Sequence, residues 1–166
     1  MTNQTGQIIG AIPRLRRFAY SLTGNTSDAD DLVQACLEKA LKNRTKYTDT
    51  GDIAPWLFKI MKNTFIDHTR AQARRPAFVE LETSASQATA DRQPTPEEAL
   101  AHRDTLNAID GLPEEQKLIV ALVLVDGRSY QEAADILRIP VGTVMSRLAR
   151  ARRRLQEELQ DQRRSA

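Results

Sequence analysis

The sequence predicts an all-α protein built as two small helical domains joined by a flexible linker, the C-terminal domain carrying a helix-turn-helix. Three observations predict it. Apolar residues recur at steps of three and four, and a hydrophobic content of 40% comes with few aromatic and few β-branched residues. Residues 77–95, rich in Ala, Ser, Thr and Gln, have no apolar periodicity and read as a linker. Residues 128–155 read as a short capped helix, a tight turn and a second helix carrying five arginines.

The first helix is expected from about Gln4 to Thr23. Ile8, Ile12, Leu15, Ala19 and Leu22 form its apolar stripe, and Gly24 is placed to end it. Ser27 is expected to begin the second, with Asp28, Asp30 and Asp31 near its positive end and Leu32, Ala35, Cys36, Ala40 and Leu41 facing inward. Residues 43–52 form a polar loop. Asp52 is a plausible N-cap for a third helix over 53–74, in which Pro55 is tolerated in the first turn. Its inner face is Trp56, Leu57, Ile60, Met61, Thr64 and Phe65, its polar face Lys59, Lys62, Asn63, Asp67 and Arg70, and Arg74-Arg75-Pro76 stops it. In the linker only Phe78, Val79 and Leu81 make a short apolar cluster. The predicted domains are therefore 1–76 and 96–166.

Thr95-Pro96-Glu97-Glu98 supplies a cap, a first-turn proline and a capping-box glutamate for a helix with Ala99, Leu100, Leu106 and Ile109, closed by Gly111. Leu112-Pro113-Glu114-Glu115 opens the next, whose Leu118, Ile119, Ala121, Leu122 and Val125 are expected to be central, and Gly127 closes it. Ser129 caps the following helix with Glu132 in the capping-box position, and Ala133, Ala134, Ile136 and Leu137 face inward. Arg138-Ile139-Pro140 makes the turn, because proline cannot continue a helix and displaces its predecessor from helical space. Gly142-Thr143 opens the last helix, with Val144, Leu148, Ala151 and Leu155 inward.

That last helix meets the geometry of DNA reading. Thr143, Ser146, Arg147 and Arg150 lie along its N-terminal part, where side chains reach base edges, while Arg152, Arg153 and Arg154 lie further along, near phosphates. A solvated surface helix usually mixes its charges, yet no acid occurs between Asp135 and Glu157. The net charge of +2 divides into +5 over residues 1–75, −7 over 76–127 and +4 over 128–166. Two basic blocks around an acidic one suggest two nucleic-acid contact surfaces.

Other classes find little support. Cys36 stands alone, so no internal disulfide forms, and it reads as a small buried hydrophobe. His68 and His102 lack partners at metal-ligand spacing, and no nucleophile–base pair or phosphate loop appears, so no metal, cofactor or enzymatic activity is expected. No apolar run spans a bilayer and no signal-peptide pattern follows Met1, so a cytoplasmic location is expected.

Together these stretches resemble an extracytoplasmic-function sigma factor of bacterial RNA polymerase, of the compact kind with only the second and fourth sigma regions. Residues 28–41 resemble the family's polymerase-clamp-binding helix, and 54–67 the helix that engages the −10 promoter element. Residues 112–116 and 129–152 resemble the fourth region, which reads the −35 element. The opening Ile-Pro-Arg-Leu-Arg-Arg-Phe-Ala and Gly142-Thr-Val-Met-Ser-Arg-Leu look most like the alphaproteobacterial general-stress group. The resemblance implies that Asp28, Asp30, Asp31, Gln34 and Glu38 meet core RNA polymerase. It also implies that Asn63 and loop 43–52 capture promoter bases, with Lys59, Lys62, Arg70, Arg74 and Arg75 on phosphates. Arg138, where the family often has glycine, is expected either to accept some left-handed strain or to shift the turn slightly.

Two readings of other classes stand beside this one. A stand-alone helix-turn-helix repressor has no use for the 56–67 segment or the clamp-like helix. A sigma-like module that only sequesters an anti-sigma factor has little reason to keep Arg147, Arg150 and Arg152–Arg154. Under the sigma reading a separate anti-sigma factor is also expected, holding the two domains closed.

Overall fold

The computed structural model describes residues 2–74 and 95–165. Three helices build the N-terminal half: α1 (Thr2–Thr23), α2 (Thr26–Lys42) and α3 (Ala54–Ala73), with a 3-10 turn at Arg44–Lys46. The stripe of α1 is wider than its periodic positions, since Ala11 and Phe18 are buried beside Ile8, Leu15, Ala19 and Leu22. Gly24 ends it with φ +77°, its N–H donating to Tyr20 O at 2.9 Å.

Helix α2 starts one residue earlier than Ser27, because Asn25 Oδ1 accepts from the Asp28 N–H at 2.8 Å and so takes the N-cap position. Asp30 and Asp31 therefore fall beyond the first turn. Leu41, expected inward, is 51% exposed, while Val33 joins Leu32, Cys36 and Ala40 in the core. At α3 the N-cap is Ile53, which makes no side-chain cap bond, and Asp52, expected in that role, lies one residue earlier, its carboxylate accepting from the Ala54 N–H at 3.0 Å. Phe58 is fully buried and stacks on Phe18 with ring centroids 4.6 Å apart.

The C-terminal half contains α4 (Pro96–Asp110), α5 (Glu114–Ile119), α6 (Tyr130–Leu137) and α7 (Val141–Ser165). Thr95 and Glu98 form a reciprocal capping box at the start of α4. Its first half nevertheless stays on the surface: Ala99 and Leu100, expected inward, are exposed, Leu100 by 57%, and Ala108 and Ile109 do the packing. Helix α5 widens into a π-helical turn over Val120–Val125, with Asp126 N–H donating to Ala121 O at 3.0 Å. Six consecutive apolar residues cover a whole helix circumference, but the core lies on one side. Val120, Ala121 and Leu122 are buried, and Leu124 and Val125 turn outward, correcting the expectation that Val125 is central.

The reading motif is built as its sequence dictates. Ser129 and Glu132 exchange hydrogen bonds of 2.8 and 3.1 Å, and α6 ends at Arg138 with φ 56° and ψ 47°. Arg138 thus holds the left-handed conformation that favours glycine. Pro140 O then accepts from the Thr143 and Val144 N–H groups, starting α7, whose Val144, Leu148 and Ala151 are buried.

The two halves share a core. Leu118, Ala121, Leu122, Ala133, Ala134, Ile136 and Val144 belong to one continuous buried cluster with Leu15, Phe18, Phe58 and the rest of the N-terminal helices. A smaller cluster of Ile109, Leu112, Val120 and Ala151 joins α4 to α7. The expected linker over 77–95, apart from Thr95, lies outside the described residues, as do Arg75, Phe78, Val79 and Leu81.

Two consequences are measurable. Arg138→Gly relieves the left-handed strain and should raise stability in urea denaturation by up to about 1 kcal/mol, the glycine's own entropy offsetting part of the gain. Burial pushes the Cys36 thiol up to about 12, an effect Lys39 only partly opposes. At pH 8 a thiol reagent should therefore modify the native chain far more slowly than the urea-unfolded one.

Candidate nucleic-acid interface

Helix α7 carries the first candidate surface. With about 100° per residue, the buried stripe of Val144, Leu148 and Ala151 places Ser146, Arg150 and Arg153 on the opposite, exposed side. Thr143, Arg147 and Arg154 flank the stripe on one edge and Arg152 on the other. Arg147 is only 27% exposed, and its Nε lies 3.6 Å from Glu115 Oε2 on α5, which orients the guanidinium along the helix. Met145 and Val141 are exposed beside these cations, offering apolar contact of the kind a thymine methyl accepts.

The second surface lies on α3. Asn63, Arg70 and Arg74 are exposed, whereas Lys59 and Lys62 are half-buried. Helix α6 packs on α3, and Arg138 at its end lies near Lys62. Burial, then the charges of Arg138 and Lys59, hold Lys62 below the ordinary lysine range. Like charges from the two halves are thus brought together where they repel.

The acidic face of α2 is divided. Asp31, Gln34 and Glu38 are exposed on one side of the helix, with Asp28 at its edge. Asp28 accepts from Asn25 Nδ2 at 2.8 Å, and Asp30 turns to α1, 3.9 Å from Arg16. Asp28 and Asp31 line an open groove of about 330 Å³, whose far wall, Asp110 and Lys117, belongs to the C-terminal half. That wall is close: a Cβ on Gly24 would meet Asp110 Oδ1 at 3.2 Å, and Thr69 Oγ1 donates to Glu114 Oε2 at 3.1 Å.

Sequence reasoning missed the charged seam between the halves. Asp126, its side chain 4% exposed, receives Arg14 through two hydrogen bonds of 3.0 and 2.7 Å and Arg128 through one of 2.8 Å. Arg128, 7% exposed, also donates to Asp52 Oδ2 at 2.9 Å, and Arg14 lies 3.7 Å from Asp52 Oδ1. Both guanidiniums sit over the Phe58 ring, 6.0 and 5.7 Å from its centroid. Partial burial of Asp52 opposes its charge, but the Ala54 N–H, Arg128 and Arg14 together hold it below the usual carboxylate range. Burial likewise opposes charge on Arg128, and Asp126 and Asp52 outweigh it. Residues 14, 52, 126 and 128 form no spacing pattern, so no local signal announces them. Asp52 was legible only as a cap.

Among the described residues no group of His, Cys, Asp and Glu could hold a metal ion, and no helix is long and apolar enough to cross a membrane.

Comparison with known proteins gives these surfaces a context. Residues 10–75 match the family model for Sigma-70 region 2, and residues 102–155 that for Sigma-70, region 4. The chain is 38% identical over 148 residues to the ECF RNA polymerase sigma factor EcfG of Rhodopseudomonas palustris, covering 89% of this chain and 80% of the relative. It is 31% identical over 144 residues to the ECF RNA polymerase sigma-E factor of Escherichia coli, covering 81% and 75%. Among solved structures, the sigma factor RpoE of Bartonella quintana, crystallised with the anti-sigma factor NepR, matches with a TM-score of 0.79. That match has 30% identity and covers 96% of this chain and 98% of the other.

Proposed function

The chain belongs to the extracytoplasmic-function sigma factors of the sigma-70 family, and from that premise we propose how its surfaces divide the work of promoter recognition. As a sigma factor it directs RNA polymerase to promoters and serves transcription initiation. The general-stress group fits its likeness to EcfG and to the NepR-bound RpoE. We place its action in the cytoplasm and assign it no catalysis of its own.

The observation that carries the residue assignment is the opposition of buried and cationic faces on α7. Its apolar stripe fixes the helix on α5 and α6, so Thr143, Ser146, Arg147 and Arg150 present their donors to base edges of the upstream element. Arg152, Arg153 and Arg154, a turn later, hold phosphates. On the N-terminal half, Asn63 and loop 43–52 take unstacked bases of the −10 element, with Lys59, Lys62, Arg70, Arg74 and Arg75 along the backbone. The exposed Asp28, Asp31, Gln34 and Glu38 meet the polymerase clamp, and Asp30 supports them less directly through Arg16. The domains 1–76 and 96–166 then act as two reading heads. An anti-sigma factor is the expected inhibitor, as NepR is for the RpoE it was crystallised with.

Transcription in vitro with core polymerase on a library of genomic fragments tests the whole reading. Promoter-specific transcripts that depend on this chain are expected, and tight sequence-specific DNA binding without core enzyme would favour a stand-alone repressor. Arg150→Ala should cost about 1–3 kcal/mol of discrimination at the upstream element, whereas Arg153→Ala should weaken specific and scrambled DNA alike and lower the salt slope by about one unit. Equal effects of the two substitutions on both DNAs would contradict the division. The double substitution Asp31→Lys/Glu38→Lys should weaken binding to core polymerase at least tenfold in a competition assay while leaving the helical content unchanged.

A further inference from the structure

We propose that the Arg14–Asp126–Arg128–Asp52 seam is an intramolecular latch that holds the C-terminal half against the Lys59–Lys62 part of the α3 DNA-binding face, so the free chain partly masks that face without any inhibitor. The masking claim rests on the assignment of α3 to promoter DNA. The latch itself stands on geometry alone.

Four observations carry it. Each half supplies two residues of the seam, and three of its four hydrogen bonds, two from Arg14 to Asp126 and one from Arg128 to Asp52, cross between the halves. Each crossing bond has one partner that is almost fully covered, Asp126 in one and Arg128 in the other, while Arg14 and Asp52 keep part of their surface in water, so salt screens the seam less than it screens fully exposed pairs. The seam is also seated on Phe58, part of the apolar cluster that both halves share. Finally, the same closure lays α6 on α3, leaving Lys59 and Lys62 half-covered.

The interface is not uniformly attractive. At one end opposite charges meet, while at the other Lys62 faces Arg138 and Lys59, and no acid is paired with any of these three among the described residues. A polyanion that reaches Lys59, Lys62 and Arg138 gains three unpaired cations once the halves part. Closure is thus poised against the chain's own ligand. An anti-sigma factor acting on such a chain has only to keep a closed arrangement already favoured by internal contacts, which is selection of an existing state.

The test uses the full chain carrying Arg14→Gln/Asp52→Asn. This pair removes both N-terminal partners of the latch, leaves the net charge at +2, and keeps a side-chain oxygen at position 52 to accept from the Ala54 N–H. Small-angle X-ray scattering reads compactness, circular dichroism reads helicity, and anisotropy with a mixed-sequence single-stranded 20-nucleotide DNA reads access to α3. The parent should show a radius of gyration near the ~15 Å of a compact chain of this length. The double variant should keep its helicity and expand by several ångströms, and both it and Arg14→Gln alone, which leaves Asp52 of the base-contacting loop in place, should bind the DNA at least fivefold more tightly. Arg14→Lys, which keeps the charge, should stay compact. A helical double variant as compact as the parent overturns the latch, and expansion with no gain in DNA affinity overturns the masking. Should the double variant lose helicity, Arg14→Gln alone takes its place with the same two criteria. Absence of any promoter-dependent transcription with core polymerase would instead sink the sigma-factor assignments and leave the scattering result standing.

Discussion

A carboxylate that is almost wholly withdrawn from water governs how this chain is put together. Asp126 is tolerable only because two guanidiniums reach it, and one of them comes from a helix more than a hundred residues earlier. Removing one partner of such a buried pair typically costs about 3–5 kcal/mol, because the other charge is left uncompensated. Around it the backbone is shaped to fit. The π-helical turn of Val120–Val125 ends at Asp126, Gly127 adopts φ +73°, and Arg128 N–H returns to Leu122 O at 2.9 Å. The wide turn, the left-handed glycine and the paired charges form one device that joins α5 to α6 and both to the N-terminal helices.

That device sits apart from the cationic face of α7, and the separation has a physical logic. Arg14 and Arg128 spend their charge on Asp126 and Asp52, so they add little to the field that DNA meets. Arg150, Arg152, Arg153 and Arg154 stay exposed with no acid within the same stretch of α7, and their field is directed outward. Arg147 falls between the two kinds, partly covered and restrained by Glu115, which trades some attraction for a fixed orientation. Opposite charges close the molecule at one end of the inter-half surface and like charges strain it at the other.

Much of this was legible in the sequence. Capping boxes at Thr95–Glu98 and Ser129–Glu132, the stop at Gly24 and the buried stripe of α7 follow from hydrogen bonding and steric rules that operate within a few residues, whereas Arg138 was marked only by the family's glycine, and the structure decided that it takes the left-handed conformation. The cationic face of α7 followed for the same reason, since a helix's period fixes which of its side chains share a side. Where local signals compete, the reading was less secure. Asn25 took the cap from its neighbours because its side chain reaches the Asp28 N–H, and Leu41, Leu100 and Val125 lie at apolar positions that are exposed among the described residues.

By itself, then, the sequence determined the helices, their ends, the reading motif and the family, all of which are encoded in short-range periodicity, caps and turn chemistry. Only the tertiary structure decided that both halves share one core, that Lys59 and Lys62 are half-covered, and that Arg14, Asp52, Asp126 and Arg128 meet. The seam depends on contacts between residues 38 to 112 positions apart. Pairings of that kind leave no period in the chain, and their energy appears only when burial has removed the competing water.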